Sequence, residues 1–319
     1  MPPHFGLQIP SFTFPDRPRD NVYEVARDLA REAEREGMGS VWLMDHLFQI
    51  PVVAPETDPI LECWTTLAAL AEATTTVKLG TMVSAVSFRH PSMVAKISAS
   101  LDVISKGRVI AGIGAGWCDW ETLAYGFDFP PTPARLQMLD EAVQILKAMW
   151  TEERATFEGR HFHVRDAICS PKPIQQPHIP ILIGGNGAKV TLRIVAEHAQ
   201  AHNIGNGDAA VCRQVLAQLR EHCDRLGRDY DTIWKTRLTP ILFAESERDI
   251  QRRIDEWRPV AEPEEQFRAR TLIGTVEQVT AQLEELVDAG LEGFIVSFFE
   301  TDDVTPIRTL MREVAEKLG

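Results

Sequence analysis

Short apolar runs rich in β-branched residues alternate with longer amphipathic stretches along the whole chain, and this rhythm constrains the fold more than any single motif. Strand-length runs lie at Phe5–Ile9, Ser40–Met44, Lys78–Val83, Arg108–Gly112, Ile181–Gly184, Ala201–Ile204, Trp234–Phe243 and Phe294–Phe298. Helical patterns cover Asn21–Glu36, Cys63–Ala73, Ser92–Ile104, Arg135–Trp150, Ala188–Glu197, Ala209–Leu226, Glu247–Trp257 and Val276–Ala289. Apolar strands interleaved with amphipathic helices mark a parallel sheet covered by helices. Two helix-to-strand corners, REGMGSVWLMD at 35–45 and DAGLEGFIVSF at 288–298, share one chemistry: a glycine closes the helix and a second opens the strand. Thr275 and Gln278 have the spacing of a capping box. The repeated corners predict an α/β fold of the (β/α)8 TIM-barrel type. An open doubly wound sheet is the structural alternative, because strand order is not written in local pattern.

A chain of 319 residues, 44% hydrophobic, can bury a large core, and one barrel domain spanning 1–319 is the expectation. Two stretches break the rhythm. One is the proline-bearing segment 151–180, with apolar patches around Phe157 and Phe162; the other is the charged stretch 259–273. Both are expected to be insertion segments at the C-terminal mouth of the barrel, where long loops bind substrate or act as lids.

Composition narrows the partners. Lys and Arg number 33 against 46 Asp and Glu, a formal charge of −13, with no basic stripe to displace the counterions of nucleic acid or to dock on an anionic membrane. Five cysteines without a CxxC pair suit a reducing compartment, and no apolar run approaches the ~18 residues of a membrane span. A cytoplasmic protein acting on a small molecule is expected.

In a barrel, chemistry sits just beyond the C-terminal ends of the strands. Four tips stand out. Asp45-His46 follows SVWLM; a carboxylate that orients an imidazole suits proton transfer, while a loop cap beside a packing histidine is the plain alternative. Gly112-Ile113-Gly114-Ala115-Gly116-Trp117 lets backbone approach a flat or anionic ligand. It departs from a dinucleotide fingerprint, since the third glycine falls early and Trp117 stands where a helix should open. Gly184-Gly185-Asn186-Gly187 before a helix reads as a phosphate site or a tight turn. Thr81-Met82-Val83-Ser84 leads into Phe88-Arg89-His90-Pro91 and says little alone. A Walker lysine and a GxSxG elbow are both missing. His161 and His163 have no third ligand at metal-site spacing, so no metal is expected.

Taken in order, the stretches FGLQIPSF, GSVWLMDH, VKLGTMVSAVSFRHP, GRVIAGIGAGWCDWETLAYGFDFPP, PKPIQQPHIPILIGGNG and GTVEQV span almost the whole chain. Together they resemble the luciferase-like monooxygenase superfamily, in particular its members that use the deazaflavin F420. The resemblance implies a cofactor ring at the barrel mouth, backed by a non-proline cis peptide between Met82 and Val83. It places Gly114, Ala115, Gly116 and Trp117 beside the cofactor and Gly184, Gly185 and Asn186 at its phosphate. His46, with Asp45 as its acid partner, takes the proton-transfer role. Some sugar-phosphate dehydrogenases of this kind carry a glutamate where this chain has Trp117, and many members have a lysine after strand six where this chain reads Asn203-Ile204-Gly205-Asn206-Gly207. The implied activity is hydride transfer between F420 and an organic substrate, with apolar walls around Trp42, Trp117 and Phe298. An FMN monooxygenase served by a partner reductase, and a non-catalytic flavin-binding protein, are the alternatives. A homodimer is compatible with the sequence, which does not fix the oligomeric state.

Overall fold

A computed structural model describes residues 2–14, 21–260 and 262–318. Eight parallel strands run in the order β1 (His4–Ile9), β2 (Ser40–Leu43), β3 (Lys78–Thr81), β4 (Val109–Gly114), β5 (Ile181–Gly184), β6 (Ala201–Ile204), β7 (Trp234–Phe243) and β8 (Gly293–Phe298). Each pairs with its neighbours in sequence, from Gly6 opposite Ser40 onward, and β8 returns to β1 with Phe5 opposite Phe294. The sheet therefore closes into a (β/α)8 TIM barrel, which rules out the open doubly wound alternative.

The helices form where the pattern places them: α1 (Val22–Arg35), α2 (Cys63–Ala73), α3 (Pro91–Ile104), α4 (Thr132–Thr151), α5 (Thr191–His198), α6 (Ala209–Leu226), α7 (Glu247–Trp257) and α8 (Val276–Asp288). Several of their starts are fixed by side chains that satisfy free amides. Glu62 accepts from Trp64 and Thr65 N–H before α2, Asp208 accepts from Val211 N–H before α6, and Thr275 and Gln278 form the reciprocal capping box of α8. At the two repeated corners, Gly37 and Gly290 take φ of +86° and +102°. That left-handed turn sends the chain back to the barrel floor.

Inside the barrel, Trp42, Met82, Ile110, Leu182, Ala201 and Ile295 form a core separate from the larger layer between strands and helices. Trp42 is fully buried and fits only because its neighbours are glycines: a Cβ on Gly80 would lie 2.2 Å from the indole. Trp42 is thus core, and Phe298, buried against Phe243, is core as well. Neither is a wall of the mouth.

Four boundaries, each by two residues or more, and two loops depart from expectation. Helix α4 begins at Thr132, three residues before Arg135. The third strand ends at Thr81, two residues early, while the fourth runs on to Gly114. Helix α5 begins at Thr191 rather than Ala188, leaving Gly185–Val190 as an open turn. Segment 151–180 leaves from an α-to-β connection, so it starts at the end of the barrel opposite the mouth. It carries an antiparallel hairpin, Ala155–Glu158 with His163–Ala167. The hairpin is held along the barrel's side, because Glu141 of α4 accepts from the backbone N–H groups of Arg160, His161 and Phe162. Segment 259–273 lies within the connection from β7 to α8, which leaves from the mouth side, yet Leu272–Gly274 simply extends the sheet beside β7. A last helical run, Thr305–Lys317, follows β8. The sequence pattern left it unassigned although Ile307, Leu310 and Val314 are buried at helical spacing. No helix of the described residues is long and apolar enough to cross a membrane.

Candidate active site

A cavity of about 340 Å3 opens at the C-terminal mouth, within the size range of small-molecule sites. It is lined by Asp45, His46, Met82, Val83, Gly114, Ala115, Gly116, Trp117, Gly184 and Gly185, all singled out from the sequence, and also by Ala85, Phe88, Cys118, Glu121, Thr122, Thr191, Asn203, Gly205 and Leu238. Asn186 is not on its wall; its amide nitrogen instead lies 3.4 Å from the Asn206 carbonyl.

The floor is built from one side chain and three gaps. The Met82–Val83 peptide is cis, as the resemblance implies. Val83 then lies in a bed of glycines: a Cβ on Gly114 would meet its Cγ2 at 2.7 Å, one on Gly112 its Cγ1 at 3.2 Å, and one on Gly184 the same Cγ1 at 3.3 Å. Gly112 has a second reason to lack a side chain, since a Cβ there would sit 1.8 Å from the Thr81 carbonyl oxygen. The alternate glycines of β4 therefore serve the packing of Val83 as much as any ligand. The result is an apolar, side-chain-poor ledge.

On one flank stands His46, placed just after β2. Its Nδ1 lies 2.5 Å from Glu121 Oε1, and Glu121 Oε2 accepts from Leu47 N–H at 2.9 Å. Glu121 belongs to the short helix Asp119–Ala124 beyond β4 and is fully buried. Burial alone would raise its carboxyl, but the hydrogen bonds from His46 and Leu47 outweigh that and hold it below the ordinary value. An ionised carboxylate only accepts, so Nδ1 carries the hydrogen and Nε2 is left to exchange a proton. Cys118 completes the cluster: one ligand-capable atom from each of His46, Cys118 and Glu121 lies within 4.8 Å of the others. Burial pushes its thiol up to about 12, so it is held as S–H and is no nucleophile. His161 and His163 diverge, to Gln137 and Glu158.

Asp45 does not orient His46. Beyond the end of β2 at Leu43 the chain directs Asp45 to Arg89, at 2.6 and 3.0 Å, and to the Ser84 hydroxyl at 2.6 Å. Arg89 also bonds Glu62, the cap of α2, at 2.6 Å. Burial works against the guanidinium's charge, yet the two carboxylates outweigh it and raise its pKa. The acid partner expected at position 45 is supplied by Glu121, which is 75 residues from His46 in sequence. An acidic residue in the first turn after a glycine-rich strand tip was the available signal.

Opposite His46, Gly184 and Gly185 meet Thr191, Asn203 and Gly205. Gly185 has φ of +118°, and its carbonyl accepts from Nε2 of the fully buried His202 at 2.9 Å. Burial pulls His202 down to about 4. The unfolded imidazole titrates near ~6.5, so the unfolded chain takes up the proton first as pH falls. Stability is then full above ~6.5 and is lost as pH drops toward 4, by on the order of 3 kcal/mol. Urea unfolding between pH 8 and 4.5 should show this slope, and His202→Gln should flatten it. Equal slopes in the two proteins would remove His202 as the source.

The chain has relatives, and its fold has counterparts, among known proteins. Over 242 residues the chain is 34% identical to a protein named F420-dependent glucose-6-phosphate dehydrogenase from Kineococcus radiotolerans, covering 75% of this chain and 70% of that one. It is 33% identical over 216 residues to the protein of the same name from Microbacterium testaceum, 65% of this chain and 61% of that one. Among solved structures, an F420-dependent secondary alcohol dehydrogenase in complex with an F420–acetone adduct superposes with a TM-score of 0.83 at 20% identity, over 98% of each chain. A monooxygenase from Streptomyces bottropensis superposes at 0.82 with 21% identity, over 99% of this chain and 100% of that one. At such identities the superpositions speak for the fold. Residues 4–262 match the luciferase-like monooxygenase family, and with the barrel, the Val83 ledge and these relatives in hand, the chain belongs to that family.

Proposed function

We propose that this protein is an oxidoreductase that binds F420 on the Val83 ledge and exchanges a hydride between it and an organic substrate. The observation that carries the reading is the placement of His46, fixed by buried Glu121, at the edge of a cavity whose floor is a bare apolar ledge. The names of the two relatives support the choice of F420. The fit is one of shape and donor chemistry. A flat ring needs a floor free of projecting side chains, which Gly112, Gly114 and Gly184 provide around Val83. Gly184, Gly185, Thr191 and Gly205 would hold the anionic part through backbone amides and a hydroxyl, because no Lys or Arg lines the cavity among the described residues.

When bound, F420 supplies two-electron chemistry that no side chain offers. His46 Nε2 gives or takes the accompanying proton, and Glu121 holds the imidazole in the tautomer that makes this nitrogen available. Asp45 acts one step away, anchoring the Arg89–Glu62 network beneath the loop.

Parallel titrations with F420 and FMN test the cofactor. F420 should bind at least about tenfold more tightly than FMN, a gap of ~1.4 kcal/mol. Tighter FMN binding would replace the reading with a flavin monooxygenase that takes reduced flavin from a partner reductase.

A further inference from the structure

The cavity is asymmetric in charge and in polarity. Among the described residues its lining holds two carboxylates, Asp45 and Glu121, and no lysine or arginine. The two guanidiniums close to its wall are committed elsewhere: Arg89 to Asp45 and Glu62, and Arg135 to the Ala115 and Pro130 carbonyls and the Phe129 ring. With the amides of Gly184, Gly185 and Gly205 given to the anionic part of the cofactor, a substrate phosphate dianion entering beside these carboxylates would shed its water and find no counter-charge from these residues. Arg17 and Arg19 lie outside the described residues.

The outer wall is aromatic. Trp117 is 56% exposed even though it lines the cavity, with its ring edge-on to His46 at 5.7 Å and to Trp120 at 5.4 Å. Phe88 lines the same space and leans on Phe127. Scattered exposed apolar residues need no explanation, but an exposed indole that also lines a cavity is placed to meet what enters it. An indole left half in water beside the proton-carrying histidine has its area to gain when a ring covers it.

We propose that the substrate is an uncharged organic molecule with an aromatic or comparably flat apolar ring, seated against Trp117 with its reacting polar group toward His46, and not a phosphorylated sugar. This rests on the F420 reading for the reaction and for the exclusion of the phosphate, though not for the stacking. Trp117 is a specificity-determining residue: its ring is the surface on which the substrate stacks.

Calorimetry on the full-length protein without cofactor tests it, with 2-acetonaphthalene and glucose 6-phosphate as probes. The neutral ketone should bind at least tenfold more tightly than the sugar phosphate. Trp117→Ala should weaken the ketone at least tenfold, while Trp117→Phe should retain most of the affinity. Equal or tighter binding of glucose 6-phosphate, no measurable ketone binding at millimolar concentration, or indifference of the ketone to Trp117→Ala would each overturn the proposal. Circular dichroism of each variant guards against misfolding, and a variant that fails to fold is replaced by Trp117→Leu, for which the same tenfold loss is expected. An F420 titration of the unaltered protein separates the two readings. Ketone binding without F420 binding sinks only the cofactor, and F420 binding without ketone binding sinks only the substrate class.

Discussion

Replacing His46 with alanine is expected to slow turnover by about 10²–10⁴-fold while F420 affinity changes by no more than a few-fold. The imidazole borders the cavity but does not form its floor, so its loss removes a proton carrier and leaves the ledge of Val83 and glycines in place. Single-turnover rates with F420, alongside cofactor titration, make the measurement. Glu121→Gln sharpens it. The amide still fills the space and can accept from Leu47 N–H, but it no longer forces the hydrogen onto Nδ1 of His46. Its rate should fall between the wild type and His46→Ala. If His46→Ala keeps the wild-type single-turnover rate, the histidine has no part in proton transfer and the acid must be sought elsewhere on the wall.

The second large effect is on stability. Arg89→Leu should cost about 3–5 kcal/mol, since it strips from an almost wholly buried carboxylate the only guanidinium that meets it among the described residues. Asp45 would keep the Ser84 hydroxyl alone, and Glu62, though it still caps α2, would lose its counter-ion. Most of the penalty comes from the orphaned charge, so Asp45→Asn combined with Arg89→Leu should recover part of it. The sign with pH follows from burial, which pushes the Asp45 carboxyl up. In Arg89→Leu its folded pKa lies above the unfolded value, so the lone acid is better tolerated when protonated. The deficit relative to wild type should narrow as pH falls and widen as it rises. Urea midpoints at pH 5 and pH 8 decide it; a loss below about 1 kcal/mol at pH 8 would mean that water or another group serves Asp45 in place of Arg89.

The barrel was legible because its information is local and repeated. Strand runs such as Ile181–Gly184 and corners such as Gly37–Gly39 each state their own conformation, and the cavity wall followed because strand ends are where a barrel keeps its site. Pairings across space were not legible. The adjacency of Asp45 and His46 suggested a couple, whereas Asp45 is taken by Arg89 and closure of the barrel brings Glu121 to the histidine instead. The glycines of β4 also read differently in three dimensions. From sequence they were openings for a ligand; in the fold they are openings for Val83, a residue of another strand end. Helix α5 shows a third limit: Ala188–Val190 reads as its first turn, yet the helix opens only at Thr191, while Gly185 at the head of the loop is held by Asn203 and His202 through contacts that no local pattern contains.

The segment from Trp117 to Tyr125 limits how the mouth of this barrel can be re-engineered. Within nine residues it holds the exposed indole at the cavity, the buried carboxylate on His46 and, at its end, a tyrosine whose hydroxyl donates to the Leu47 carbonyl beside that histidine. The proposed ring-binding surface and the carboxylate on His46 are thus parts of one short stretch of chain. Grafting a different stretch here to admit another compound would also remove the partner of His46. Single substitutions at Trp117, which is exposed, leave the buried Glu121 contact in place and are the route by which the mouth can be reshaped alone.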